Sequence, residues 1–365
     1  MREMGGATSL PQAPVAAPGA ERPAATGGLP AWRWRARRWA VPLGIFAASR
    51  AAVFAVVFFA LRLPIARTPG WTPVDRFFGF WDGAYYLQIA KTGYPATLAP
   101  APVGGVHAFF PLYPLAVRFL HAATGLSFLR AGVLINLAAS GLAMVVIWEL
   151  VQRLSDGLTA SRAVTLICFF PWAFILSMAY PEGLMLLFAS VCLLALLDKQ
   201  WVLAGLAALA AGAARPDGFV LAFPCAWAAL VAIRQQRSWR ALAAPVLAPL
   251  GLLGFFLFLQ RRTGDFWANL TARNRGWSFS GIGFHPHAAL KVIHAYLANP
   301  SADLNRSGSI VTMLFIAVAL VLMATWRPPA ILWWYVLPVV VLALVFDTYA
   351  SLPRFTLEAF PLLVA

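Results

Sequence analysis

The chain has 365 residues, of which 61% are hydrophobic and only 11% charged, and it carries a net charge of +15. Soluble globular chains carry about 25% charged residues, so this composition excludes a water-soluble domain with an ordinary polar surface. Lipid is the expected solvent for most of the chain, and because lipid offers the backbone no hydrogen bonds, the recurring apolar runs are expected to be helices.

The positive charge does not point to nucleic acid. Arg33, Arg35, Arg37 and Arg38 interleave with Trp32, Trp34 and Trp39 just before the first long apolar run. That is the pattern of a juxtamembrane anchor, with cations at headgroups and indoles at the interface, and no basic face suited to a phosphate backbone accompanies it. The three cysteines, Cys168, Cys192 and Cys225, lie inside apolar runs without metal-ligand spacing and read as small buried hydrophobes.

In chain order, residues 1–31 are rich in Ala, Pro and Gly and read as a disordered cytoplasmic tail. The remainder, 32–365, reads as one all-α polytopic membrane domain. Its first span is an uncleaved run over 40–63, followed by a large first external loop over 64–127 that is expected to carry amphipathic helices. Further spans are predicted over 128–151, 162–179, 183–197, 201–214, 218–233, 243–260, 309–326, 330–347 and 354–365, giving about ten in all. A late external loop occupies 261–308. The final run reaches Ala365 without a polar tail, so the native chain is expected to continue beyond it.

With the Arg-rich amino-terminal segment in the cytoplasm, the connections holding Arg153, Arg162, Lys199, Arg234 to Arg240 and Arg327 fall inside, as the positive-inside rule favours. The same parity places Asp82, Glu182, Arg215 with Asp217, the 261–308 loop and Arg354 together outside. The ionisable residues thus gather at span ends and in external loops. A transporter would instead line a path with charges at mid-span.

The densest polar cluster runs from Phe80-Trp81-Asp82-Gly83 through Tyr85-Tyr86 and Lys91 to Gly93-Tyr94-Pro95. Two readings of Asp82 stand: a cap accepting backbone N–H bonds at the start of an amphipathic helix, or a general base at the bilayer surface. Next, Phe109-Phe110-Pro111-Leu112-Tyr113-Pro114 breaks any continuous helix with its prolines. It suits a re-entrant or interfacial element that could line a groove for an isoprenoid tail, or an aromatic belt. Glu182 follows Tyr180-Pro181, and Arg215 stands beside Asp217; the arginine fork suits phosphate, and Arg354 is a second candidate of this kind. His285 and His287 lack partners in metal-ligand spacing, and no Gly-rich phosphate loop ending in Lys-Ser or Lys-Thr is present.

Taken in order, these clusters resemble the PIG-V-like mannosyltransferases. Trp81-Asp82-Gly83 with Tyr86-Leu87, Ile89-Ala90 and Gly93-Tyr94, then Phe109 to Pro114, are similar to that family's first external loop. Tyr180-Pro181-Glu182-Gly183-Leu184 resembles its Tyr-Thr-Glu-Ser-Leu element, with Pro181 and Gly183 as departures, and Arg215-Pro216-Asp217-Gly218 its Arg-Pro-x-Gly element. Thr263 to Trp267 with Trp277, and Pro353-Arg354-Phe355 with Phe360-Pro361, complete the set from about Asp75 onward. The resemblance implies a GT-C-type glycosyltransferase of the bacterial plasma membrane, with its active site extracytoplasmic. It implies inverting transfer of mannose from polyprenyl-phosphate mannose to a glycan, lipid or protein acceptor that the sequence leaves unnamed. Asp82 is then the catalytic base, and Trp81, Tyr86, Lys91, Tyr113, Glu182, Arg215, Asp217 and Arg354 are the expected substrate-binding residues. No metal ligands are assigned. A divalent metal is left open, although a lone Asp82 without a neighbouring acid disfavours a tightly held ion. A different polyprenyl-linked sugar, or a lipid-linked-sugar flippase, are the alternative readings.

Overall fold

The computed structural model describes residues 31–60, 62, 77–100, 105–277, 304–345 and 352–364, with isolated positions at 294 and 298. Residues 1–30 of the expected tail, parts of the 64–127 loop, and about half of the 261–308 loop, including His285 and His287, lie outside the described residues.

Among the described residues the protein is built of helices joined by turns, without strands. The elements are α1 (Ala31–Ala60), α2 (Asp82–Thr92), α3 (Leu112–Thr124), α4 (Phe128–Leu154), α5 (Gly157–Phe169), α6 (Glu182–Leu197) and α7 (Trp201–Ala214). They continue as α8 (Ala222–Gln236), α9 (Ala243–Leu247), α10 (Leu250–Thr263), α11 (Ala268–Trp277), α12 (Leu304–Trp326), α13 (Ala330–Val345) and α14 (Leu352–Glu358). Three stretches, Arg38–Ala60, Phe128–Leu154 and Pro216–Gln236, are long and apolar enough to cross a membrane, and a bent pair, Trp239–Leu247 with Leu250–Thr263, makes a fourth. Shorter apolar helices such as Glu182–Leu197 and Trp201–Ala214 pack among them. Large apolar side chains including Val56, Phe59, Leu142, Leu166, Val202, Val246, Leu314 and Val318 face outward on several different helices. Such an exterior suits hydrocarbon and not water, so this is an α-helical membrane protein.

The bundle centres on α4 and α6, which pack along one another, with α7 against α6. Their interface buries Ala143, Met144, Ile147, Met185, Leu186, Ala189 and Leu193. Lipid is as apolar as leucine, so close backbone approach supplies the cohesion here. The Ala- and Gly-rich α7 is gripped at backbone range. A Cβ on Gly218 would lie 2.2 Å from the carbonyl carbon of Ala211, and one on Gly251 2.0 Å from the oxygen of Leu209.

Two expected spans are corrected. The run over 162–179 is helical only to Phe169; Pro171 cannot continue the ladder, and a 3₁₀ turn over Ala173–Ser177 leads into an extended link at Met178. The freed carbonyls are met by Arg50 of α1. Its Nη2 donates to Cys168 O at 2.9 Å, and its Nη1 donates to Ala173 O at 2.5 Å and Ser177 Oγ at 3.0 Å. Arg50 also corrects the expectation that ionisable groups keep to span ends, since it lies inside the first span. The run over 354–365 is α14, seven residues long, followed by a 3₁₀ turn over Phe360–Leu363. Seven residues rise about 10 Å, too little to cross; Pro353 lies in the helix's first turn, and Pro361 lies in the 3₁₀ turn just beyond its end.

The first-loop elements pack Tyr86, Phe109, Phe110 and Tyr113 into a core shared with Phe255 and Leu259 of α10. Pro111 and Pro114 start α3 instead of interrupting it. Arg118 of α3 caps α2 by donating to Ala90 O at 2.7 Å and Ile89 O at 3.1 Å. At one end of the bundle, Arg38 pairs with Glu149 and Gln152, Arg153 with Asp198, and Lys199 with Gln236. The opposite end gathers the residues described next.

Candidate functional site

The site begins where α2 begins. Its first residue is Asp82, and its buried face is Gly83, Tyr86, Ile89 and Ala90, the spacing of one helical stripe. The amides of the first turn are already used: Gly83 N donates to Phe80 O at 3.1 Å and Ala84 N to Trp81 O at 3.2 Å. The amide of Asp82 itself donates to the Tyr180 hydroxyl at 3.1 Å, and that hydroxyl donates to Phe80 O at 3.0 Å. The Asp82 carboxylate therefore does not cap the helix. It takes Arg354 Nη1 at 2.7 Å, and the two side chains remain 24% and 17% exposed. The cap expected as one reading of Asp82 is not formed, and its carboxylate pairs with Arg354 instead.

Glu182 opens α6 and is fully buried. Asn136 of α4 places it: its Oδ1 accepts Gly183 N at 2.8 Å, and its Nδ2 donates to Ile175 O and Met178 O, each at 2.9 Å. One side chain thus satisfies an orphan amide of the helix start and ties down the broken segment before it. Only glycine fits at 183, since a Cβ there would stand 2.4 Å from Ser140 Oγ and 2.5 Å from Asn136. Glu182 Oε1 accepts Arg215 Nη1 at 2.5 Å and lies 3.3 Å from Arg354 Nε, whereas its Oε2 is buried without a hydrogen-bond partner.

Arg215 ends α7 in an extended conformation that turns its guanidinium inward. Besides Glu182 it reaches Asp217, with Nε 3.0 Å from Oδ1, and Glu358, with Nη2 3.0 Å from Oε1. All four side chains are buried. Glu358 makes this contact at ion-pair distance without a well-aligned hydrogen bond. Arg273 of α11 is within electrostatic reach of Asp217, Arg215 and Arg354. The described network thus sets four carboxylates against three guanidiniums at one end of the bundle.

The tyrosines form its wall. Tyr86 packs edge-on against Phe109 at 5.0 Å and Tyr113 at 5.4 Å. Burial pushes the phenols of Tyr86 and Tyr180 well above their usual range, the nearby arginines opposing it and the nearby carboxylates adding to it, so both stay neutral. The Tyr113 hydroxyl is buried without a hydrogen-bond partner. Arg354 lies over the Tyr180 ring, 6.0 Å from its centroid.

Of the residues singled out from the sequence, Asp82, Tyr86, Glu182, Arg215, Asp217 and Arg354 come together, with Tyr113 beside Tyr86. Trp81 is exposed at the rim, its ring 5.3 Å from that of Phe80. Lys91 does not join them. It lies at the far end of α2, about 14 Å away by helical rise, with its ammonium 6.0 Å above the Phe128 ring. Sequence reasoning missed Glu358, Arg273, Asn136 and the Tyr180 hydroxyl as site members. Glu358 carried a usable signal, since it follows Arg354 by four residues and so shares its helix face. Among the described residues, no group of three or more His, Cys, Asp and Glu is arranged to hold a metal ion. Each carboxylate of the cluster is met by a guanidinium.

The arrangement offers a carboxylate and a guanidinium at a solvent-reached edge, backed by a buried ionic frame and walled by aromatic rings. Compared with protein-family models, curated proteins and solved structures, the chain matches none.

Proposed function

We propose that the protein is a GT-C-type membrane glycosyltransferase with about ten membrane-inserted helices, which transfers mannose from polyprenyl-phosphate mannose to a hydroxyl on the extracytoplasmic face of a bacterial plasma membrane. Asp82 takes the acceptor hydroxyl proton as that oxygen attacks the anomeric carbon. The bond from that carbon to the phosphate oxygen breaks, inverting the centre, and the polyprenyl phosphate leaves with the electron pair. Charge builds on the departing phosphate and needs positive charge beside it.

The observation that carries this reading is the partly exposed Asp82 carboxylate held 2.7 Å from Arg354 at the edge of a buried ionic network. A proton acceptor and a cation for a leaving phosphate are thereby within one contact of each other. Further support comes from Leu115 and Phe119, exposed on α3, an apolar surface suited to an isoprenoid tail. A different polyprenyl-linked sugar would use the same groups. The flippase alternative gains nothing from Arg50, whose donors are spent on backbone carbonyls and Ser177.

The test is transfer of radiolabelled mannose from polyprenyl-phosphate mannose by membranes holding the wild type or Asp82→Asn at equal abundance. Loss of at least about a hundredfold in the variant is expected for a missing general base. Equal rates would remove Asp82 from the mechanism. Transfer from other polyprenyl-linked sugars only would correct the sugar, and transfer from none would sink the enzyme reading.

A further inference from the structure

Arg215 and Arg354 are both candidates for receiving a phosphate, yet the network treats them differently. Arg215 is fully buried and spends its donors on Glu182, Asp217 and Glu358. Binding an anion there would break three contacts inside the frame and leave buried carboxylates uncompensated, which is strongly unfavourable. Arg354 is held more loosely. Its Nη1 holds Asp82 at 2.7 Å, its Nε lies 3.3 Å from Glu182 but makes no hydrogen bond, and it keeps access to solvent. Its partner Asp82 is the most exposed carboxylate of the four, so releasing it costs the least desolvation. The Tyr180 ring beneath Arg354 supports the guanidinium plane whichever anion it faces.

We infer that Arg354 is the receiver of a lipid-linked phosphate and that binding proceeds by exchange, the phosphate displacing the Asp82 carboxylate from Arg354 while Arg215 remains a fixed frame. This rests on the glycosyl-transfer reading and adds to it a coupling between the two substrates. In the empty protein, Arg354 Nη1 occupies Asp82 Oδ2 at 2.7 Å, so a carboxylate oxygen that would receive the hydroxyl proton is engaged. Once the phosphate occupies Arg354, Asp82 is unpaired beside the anomeric centre. The base becomes competent only when a donor is in place, which discourages unproductive chemistry on the acceptor alone. The same exchange implies that Asp82 and the phosphate compete for one guanidinium, so removing the Asp82 charge strengthens phosphate binding while it abolishes turnover.

The experiment is calorimetric titration of the full chain in lipid nanodiscs with undecaprenyl phosphate, and separately with inorganic phosphate. The proteins compared are the wild type, Asp82→Asn, Arg354→Gln and Arg354→Lys, each checked for a single folded species. Asp82→Asn is expected to bind undecaprenyl phosphate roughly three- to tenfold tighter than the wild type, the scale of one partly exposed ion pair. Arg354→Gln is expected to lose more than about tenfold, and Arg354→Lys, which keeps the charge and should fold as the wild type does, to fall between. The same order of affinities with inorganic phosphate would support the exchange for the anion alone, without need of the tail. Unchanged or weaker binding by Asp82→Asn, with binding still dependent on Arg354, would overturn the exchange. Binding indifferent to both residues, in a preparation that transfers mannose, would overturn the inference and leave the enzyme reading intact. No binding together with no transfer would remove both.

Discussion

Arg215 and Arg153 are both arginines in ion pairs, and the difference in their surroundings sets very different consequences for losing them. Arg153 holds Asp198 at 2.7 Å, but the two side chains are 57% and 25% exposed. Such a pair contributes about 0–1 kcal/mol. Arg215 is buried among Glu182, Asp217 and Glu358, and removing it leaves three carboxylates in a low-dielectric interior, a loss on the order of 3–5 kcal/mol. Arg215→Gln is therefore expected to unfold at much lower denaturant than the wild type in mixed micelles, while Arg153→Gln stays within about 1 kcal/mol of it. Equal effects of the two substitutions would contradict the buried network. The sequence sets the two on opposite faces and stands Arg215 beside Asp217, but both lie at the ends of apolar runs; only the tertiary fold shows that one end is enclosed.

At the scale of the element, the broken segment from Phe169 to Glu182 does the positioning. Pro171 and Pro181 make a continuous helix impossible, which the span expected over 162–179 overlooks at Pro171. What the sequence does not disclose is where the freed carbonyls find donors. Arg50, inside the first span, supplies them from a helix more than a hundred residues earlier. Asn136 secures the other side of the same segment. Arg50→Leu is expected to cost several kcal/mol, about 1–3 for each buried carbonyl left unsatisfied, and to impair mannose transfer through the displaced Tyr180. Tyr180→Phe, by contrast, removes only the hydroxyl that accepts from Asp82 N and donates to Phe80 O. It is expected to lower the transfer rate with a stability loss of about 1–2 kcal/mol. If Arg50→Leu proves as stable as the wild type, the capping role assigned to it is wrong.

For the whole molecule, the relevant quantity is which end each group occupies. Trp81 is exposed beside Asp82, and Trp239 is exposed beyond the far end of α8, next to the Lys199 and Gln236 pair. The native cysteines are all buried and should stay silent to a membrane-impermeant maleimide. Trp81→Cys and Trp239→Cys are then expected to label from opposite faces of the membrane, Trp81→Cys from the outside of intact cells. Labelling of both from one face would break the two-ended arrangement and the sidedness proposed for the site.

The sequence by itself determined that the solvent is lipid, that the secondary structure is helical, and that Asp82, Glu182, Arg215, Asp217 and Arg354 share one end of the bundle. These follow from composition, from unsatisfied backbone groups in hydrocarbon, and from the parity of spans, all of which are local or additive. Only the tertiary structure decided which charges are partners. It sent Asp82 to Arg354, across 272 positions, and not to its own helix start. It also brought in Glu358 from a run expected to span, and kept Lys91 away. Pairings of this kind depend on how α2, α6, α7 and α14 are packed against one another. In a low-dielectric site the stabilisation of each charge is set by those distances and not by its neighbours in the chain.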